Sequence, residues 1–440
     1  MEREKFGSRF AVIMALAGSA IGLGNIWRFP YMVGKYGGAA FIVVYLVATL
    51  LLALPMLLSE TIIGRRSRSN TFGAFSALAP HSPWRWLAVP IAIAPLFVVS
   101  YYSVVGGWSI GYLLKSFTAD FSSDPEAIPA MFDAFANSFW KPLLGHTAFL
   151  LLTSLIILLG VKKGIERFSK ITMPILFCLI VGIIIYSLFL PGAGAGVRYL
   201  VKPDWSKLTA EAVAAAMGQS FYSLSLGCGV ILTYASYVKE DENLLTSGAG
   251  TAAADVIFAI MAGFAVMPAV FACGLEPEGG PGLVFQSLPY VFCKMGGGIP
   301  WIGPLVGIVF FLSILIAALT SSISMMEGAV AVLVDETHLS RPLATFIVFA
   351  AAWLLGALCA WSGGIFNFFD GLCSNYLMPL GALVFTLFVG WRMTDSDFRD
   401  EFTNGGTLRA NAKAYPFVRF LIRYIAPVGV LAIFLTNLFL

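Results

Sequence analysis

The chain has 440 residues, of which 59% are hydrophobic and only 12% charged, with a mean hydropathy of +0.86. A soluble globular domain carries about 25% charged residues, so soluble, disordered, collagenous and disulfide-scaffold classes are excluded, and an all-α integral membrane protein is expected. The net charge of +3 carries no basic patch that would engage nucleic acid. None of the six Cys forms a C-x-x-C pair, which argues against zinc or redox chemistry.

A membrane-crossing helix needs roughly 20 apolar residues. In chain order such stretches occur at 10–36, 40–64, 86–116, 145–160, 171–190, 212–238, 246–273, 304–334, 343–360, 364–391 and 417–439. Eleven transmembrane helices are therefore expected in a single domain, 1–440, without a separate soluble unit. Lys and Arg gather on alternate connections: Lys5 and Arg9, Arg65 with Arg66 and Arg68, Lys162 with Lys163, and Arg392 with Arg399 and Arg409. The positive-inside rule then places the N-terminus in the cytoplasm and, with an odd count, the C-terminus outside. The longest polar stretches, 117–144, 191–211 and 274–303, become outer loops.

Two of these stretches are interrupted. The first contains Ala17-Gly18-Ser19-Ala20-Ile21-Gly22-Leu23-Gly24-Asn25, and the sixth Ser223-Leu224-Ser225-Leu226-Gly227-Cys228-Gly229. Glycine costs a helix interior about 1 kcal/mol relative to Ala. A single such segment is accounted for by close helix packing. Two of them, five spans apart, point to a binding site at the bilayer midplane in a secondary transporter, where unwound backbone lines a polar cavity. The halves would be inverted repeats, about 10–190 and 212–391, with 417–439 as an extra helix. Freed amides suit a carboxylate, and freed carbonyls a small hard cation.

Gly22-Leu23-Gly24-Asn25-Ile26-Trp27-Arg28-Phe29-Pro30, Gly37-Gly38-Ala39-Ala40-Phe41, Tyr101-Tyr102, the Ser223–Gly229 segment followed by Thr233-Tyr234-Ala235-Ser236-Tyr237, and Thr320-Ser321-Ser322 resemble the neurotransmitter:sodium symporter family in its bacterial amino-acid transporter branch. The resemblance implies sodium-coupled uptake of an amino acid, hydrophobic or aromatic, by alternating access across the bacterial inner membrane, by a chain working as a monomer. It implies two sodium sites, one from Ala20, Asn25, Ser223 and Asp255, the other from Gly18, Ile21, Ala317, Thr320 and Ser321. For Thr320 and Ser321 taken alone, bonding of the hydroxyls back to their own helix is an equal expectation. The substrate would lie among Ser19, Ala20, Leu23, Gly24, Val98, Tyr102, Tyr222, Ser223, Ser225, Cys228, Ser321 and Met325. Gly22 stands where monoamine carriers have Asp, which leaves the substrate to bring its own carboxylate.

Charges inside spans are costly and tend to be functional. The resemblance assigns Arg28 and Asp370 to an outer gate, and Arg3 and Asp335 to an inner latch supported by Tyr237 and Phe6. Glu60 would hold the surroundings of Arg28 or the packing of the first span, and with Asp255 would balance charge. Asp255 stands where an amide is common, so chloride is not expected to be required. Glu327 is left without an assigned role. An enzyme is not expected, because His81, His146 and His338 fall in loops or at span ends and no nucleophile–base pair is evident. A non-transporting amino-acid sensor on the same fold is the alternative.

Overall fold

The computed structural model describes residues 4–119, 121, 124, 127–138, 140–275, 283–295 and 301–439. Every regular element among them is helical. Among the described residues nine helices are long and apolar enough to cross a bilayer: Ala39–Ser67, Trp84–Thr118, Trp140–Leu158, Val161–Leu188, Leu244–Ala272, Ile302–Thr337, Arg341–Trp361, Gly363–Arg392 and Arg409–Thr436. A tenth is the pair Arg9–Ala20 and Gly24–Lys35, bent by 56°. Between Lys207 and Leu244 lie two shorter helices, Ala210–Ser223 and Val230–Ala235, joined by non-helical residues 224–229. The chain is thus a multi-pass, all-α membrane protein.

Several helices outrun their apolar stretches. The fifth starts at Val161 and the last at Arg409, because backbone hydrogen bonding continues into charged flanks that water can solvate. The fourth starts at Trp140 rather than 145, and this corrects the placement of His146. It lies inside that helix, fully buried, with Nδ1 2.8 Å from Ser103 Oγ and Nε2 3.2 Å from the Trp353 carbonyl. Bonded on both sides, it pins the third, fourth and ninth spans together.

The two breaks have local causes. Ser8 caps the first helix by accepting from the Ala11 amide, and that helix ends at Ile21, whose backbone is extended (φ −72°, ψ 105°). In the sixth span Thr209 caps the half before the break by accepting from the Ala212 amide. Ser225, Gly227 and Gly229 then take positive φ of 53°, 87° and 71°, a region that side chains other than Gly's rarely enter. The breaks meet in the core, while helices on the periphery present Leu, Ile and Phe outward, as lipid requires.

Span two supports the half of the sixth that follows the break. A Cβ on Gly64 would sit 2.1 Å from the Leu232 carbonyl oxygen, so the two backbones touch with nothing between them. Arg68 donates to the Ser236 carbonyl at 3.4 Å and also to that of Val238. Arg65 donates at 3.0 Å to Asn404 and also reaches Glu401, which ties the connection between the tenth and last spans to the same unit.

Candidate functional site

The first break and the sixth break close on one another through side chains as well as backbone. Asn25 donates to Ser223 Oγ at 3.0 Å and to Asp255 Oδ1 at 2.7 Å, while its Oδ1 accepts from the Gly22 amide at 3.1 Å. Ser223 donates to both Asp255 oxygens, at 2.9 and 2.8 Å. Tyr45, absent from the sequence reading, adds its hydroxyl at 3.2 Å. Asp255 is fully buried, and each of these partners is neutral; no Lys or Arg pairs with it among the described residues. A buried carboxylate without a protein countercharge favours a cation at its side.

The second group of expected ion ligands also converges. Ser321 donates to the carbonyls of Ser19 at 3.2 Å and Ile21 at 3.4 Å. Thr320 bonds back to Ala317 at 2.9 Å and Ile316 at 3.2 Å. Gly18 lies against Thr320, since a Cβ on it would be 3.4 Å from the threonine Cβ. Ser321 thus reaches the first span, while Thr320 turns back to its own helix.

Between these groups lies a cavity of about 20 Å³ lined by Ala20, Gly22, Gly24, Val98, Tyr102, Tyr222, Ser223, Ser225, Ser321, Met325 and Met378. That is room for about one water, so an amino-acid side chain needs its walls to shift. Leu23 borders the outer vestibule instead, and its amide donates to Tyr102 Oη at 3.1 Å. Ser225 Oγ donates to the Ser19 carbonyl at 3.0 Å, and Ser19 Oγ bonds Ser324 Oγ at 2.8 Å. A Cβ on Gly22 would lie 2.5 Å from Ser321 Oγ and 2.7 Å from Tyr102 Oη. An acidic side chain has no space there.

Some expectations are corrected. Cys228 does not line the cavity; its thiol turns back within the break to the Ser225 carbonyl, 3.3 Å away. Met378 of the tenth span takes a place in the wall, and an apolar residue on an apolar helix gives no sequence signal for that. Glu60 is not beside Arg28. It is buried against the sixth break, accepting from the Gly227 amide at 2.6 Å, because unwinding frees that amide and a carboxylate satisfies it.

The two ends of the path differ. Above the cavity lies a vestibule of about 350 Å³ that includes Arg28, Tyr101, Tyr102, Tyr222 and Asp370. Arg28 and Asp370 share it without forming an ion pair: the guanidinium lies 4.5 Å from the Tyr222 ring centre, and Asp370 accepts from Ser374 at 3.2 Å. At the opposite end Phe6 is fully buried, its amide donating to the Tyr237 carbonyl at 2.9 Å and its ring edge-on to Tyr234 and Tyr237. Tyr237 Oη donates to Glu327 at 2.7 Å, and Arg341 donates to the same carboxylate at 3.2 Å. Glu327 thereby gains a place, as the buried acid of that closure. Asp335 accepts from Asn70 at 3.0 Å; its expected partner Arg3 lies outside the described residues.

Comparison with known proteins agrees with this architecture. The model of the sodium:neurotransmitter symporter family matches residues 3–125 and 139–440. An uncharacterised sodium-dependent transporter of Bacillus subtilis is 37% identical over 98% of this chain and 97% of its own. A sodium- and chloride-dependent taurine transporter of Bos taurus is 26% identical over 91% of this chain and 73% of its own. Among solved structures, that of MhsT in complex with L-phenylalanine superposes with a TM-score of 0.89 at 39% identity, covering 99% of this chain and 100% of that one. With two helix breaks joined around a cavity and this similarity along nearly its whole length, the chain belongs to the sodium:neurotransmitter symporter family and is a sodium-coupled secondary transporter.

Proposed function

We propose that the chain imports amino acids with apolar or aromatic side chains, together with two sodium ions, by alternating access. The carrying observation is at Gly22, where Ser321 and Tyr102 leave no room for an acidic side chain beside the Leu23 amide. The substrate must then supply the carboxylate, held by the Leu23 and Gly24 amides and Tyr102 Oη, while carbonyls of the sixth break receive its ammonium. The apolar wall of Val98, Met325 and Met378, and the relative solved with L-phenylalanine, support an apolar side chain.

In this reading the bent first helix and the pair Ala210–Ser223 and Val230–Ala235 count as spans one and six, making eleven in a 5+5 inverted arrangement. The N-terminus is cytoplasmic and the C-terminus outside. One sodium ion is bound by Ala20, Asn25, Ser223, Asp255 and the substrate carboxylate. The other is bound by Gly18, Ile21, Ala317, Thr320 and Ser321. Each ion contributes about 1.4 kcal/mol per tenfold gradient and about 2.3 kcal/mol per 100 mV. Two of them give about 7 kcal/mol, enough to concentrate a zwitterion about 10⁵-fold. Sodium and substrate enter through the vestibule while Phe6, Tyr237 and Glu327 hold the cytoplasmic side shut. Tyr102 and Tyr222 then close above the substrate, and loss of the second ion loosens the inner end.

Asp255 supplies the negative charge that chloride-dependent relatives take from an anion, so uptake is chloride-independent. Asp255→Asn should make uptake depend on chloride; equal uptake with and without chloride in that variant would refute the assignment. The reading as a whole is tested by sodium-gradient-driven uptake of labelled amino acids into proteoliposomes, screened across side-chain classes. Accumulation that collapses when the sodium gradient is removed is expected. Sodium-dependent binding without accumulation would instead mark a sensor, and neither binding nor uptake of any amino acid would overturn the reading.

A further inference from the structure

The central cavity has a polar side and an apolar side. The polar side is the two helix breaks with Tyr102 and Ser321, so a zwitterion anchored there points its side chain at Val98, Met325 and Met378. Val98 is β-branched and stiff on a continuous helix. The two methionines are unbranched, with three rotatable bonds and a polarisable sulfur, and such side chains re-pack around occupants of different shape. Both are buried, at 5% and 3% exposure. Since about 20 Å³ holds roughly one water, most of the room for a side chain has to come from movement of these two.

Met378 differs from Met325 in how its backbone is held. A Cβ on Gly227 would sit 1.9 Å from the Met378 carbonyl oxygen, and one on Gly381 would sit 1.8 Å from the Gly227 carbonyl oxygen. The tenth span is therefore pressed backbone to backbone onto the sixth break, at Met378 itself and one helical turn after it. Immediately before Met378 the helix widens into a π-helical segment, Leu372–Leu377, an irregularity that recurs at functional sites. Cys228, the residue of the break expected in this wall, points its thiol back into the break. Met378 thus has a fixed backbone, referenced to the same peptide groups that would hold the substrate, and an adaptable side chain.

We propose that Met378 sets the upper size of the substrate side chain, with Met325 as the secondary adjustment. The inference rests on the amino-acid reading above and names the residue that grades substrates within that class. A single methylene in a hydrophobic pocket discriminates by about 10–200-fold, so truncation or enlargement at this position is large on that scale.

The test compares wild type, Met378→Ala and Met378→Phe in proteoliposomes. Sodium-driven uptake of labelled L-leucine is competed by unlabelled L-alanine, L-phenylalanine and L-tryptophan. Met378→Ala should raise the apparent affinity for tryptophan relative to alanine at least tenfold, and Met378→Phe should lower it by a similar factor, with the sodium dependence of uptake retained in both. A merely structural role would weaken all competitors together and leave their ratio alone. If one variant fails to fold, the ratio in the other decides. A tryptophan-to-alanine ratio within twofold of wild type in the folded variants overturns the inference while leaving the amino-acid reading standing. Absence of uptake of every amino acid by wild type overturns that reading and this inference with it.

Discussion

At the vestibule end Arg28 rests on the ring of Tyr222 and Asp370 accepts from a serine on its own helix, whereas at the opposite end Glu327 is engaged by both Tyr237 and Arg341. One end holds open space in which its two charges stay apart; at the other a buried carboxylate has its partners in place. A buried ion pair contributes little to net stability but penalises its own disruption heavily. The difference teaches that opening the Glu327 end would break a buried, partnered charge, whereas opening the vestibule end would break no Arg28–Asp370 pair.

The strongest way to break this comparison is Glu327→Ala. It strands the Arg341 guanidinium, and removing one member of a buried pair costs about 3–5 kcal/mol. Sodium-driven uptake should fall more than tenfold. A single cysteine placed at Ala331, in an otherwise cysteine-free background, should become rapidly accessible to thiol reagents from the Glu327 side; unchanged labelling would show that the closure lies elsewhere. Tyr237→Phe removes one hydrogen bond to that carboxylate, worth about 1.5–3 kcal/mol. It should shift the same labelling in the same direction by a smaller factor and lower the apparent sodium affinity by up to about tenfold. Asp370→Asn has the smallest expected effect on binding, because no ion pair is lost: equilibrium sodium-dependent substrate binding should stay within about threefold of wild type. A loss greater than tenfold would mean that Asp370 meets Arg28 in the substrate-bound form, making the ends more alike than they are here.

The two breaks were legible because they violate the chemistry of a lipid-embedded helix, whereas the residues expected around them came from the family resemblance. Glycines and serines in the middle of apolar stretches marked residues 18–25 and 223–229, and Asn25 and Asp255 marked themselves by being polar in such company. Residues that obey the local rule stayed hidden. Met378 is apolar on an apolar helix, and its role comes from the glycine contact across to Gly227, which no single helix encodes. Tyr45 looks like any membrane tyrosine until the fold brings it to Asp255. Glu327 made sense once Arg341, 14 residues on, folded back beside it. Cys228 and Glu60 were misplaced because of the same break: inside it the direction of Cys228 no longer follows helical spacing, and the amide that it frees at Gly227 draws Glu60 from the second span.

The contact between Gly64 and the Leu232 carbonyl has a mechanical consequence. Two rods that touch at bare backbone have no compressible layer of side chains to absorb a relative tilt, and here the joint is also cross-braced by an arginine. The second span and the half of the sixth that follows its break are therefore one stiff unit, in which a tilt of either rod is handed to the other without slack.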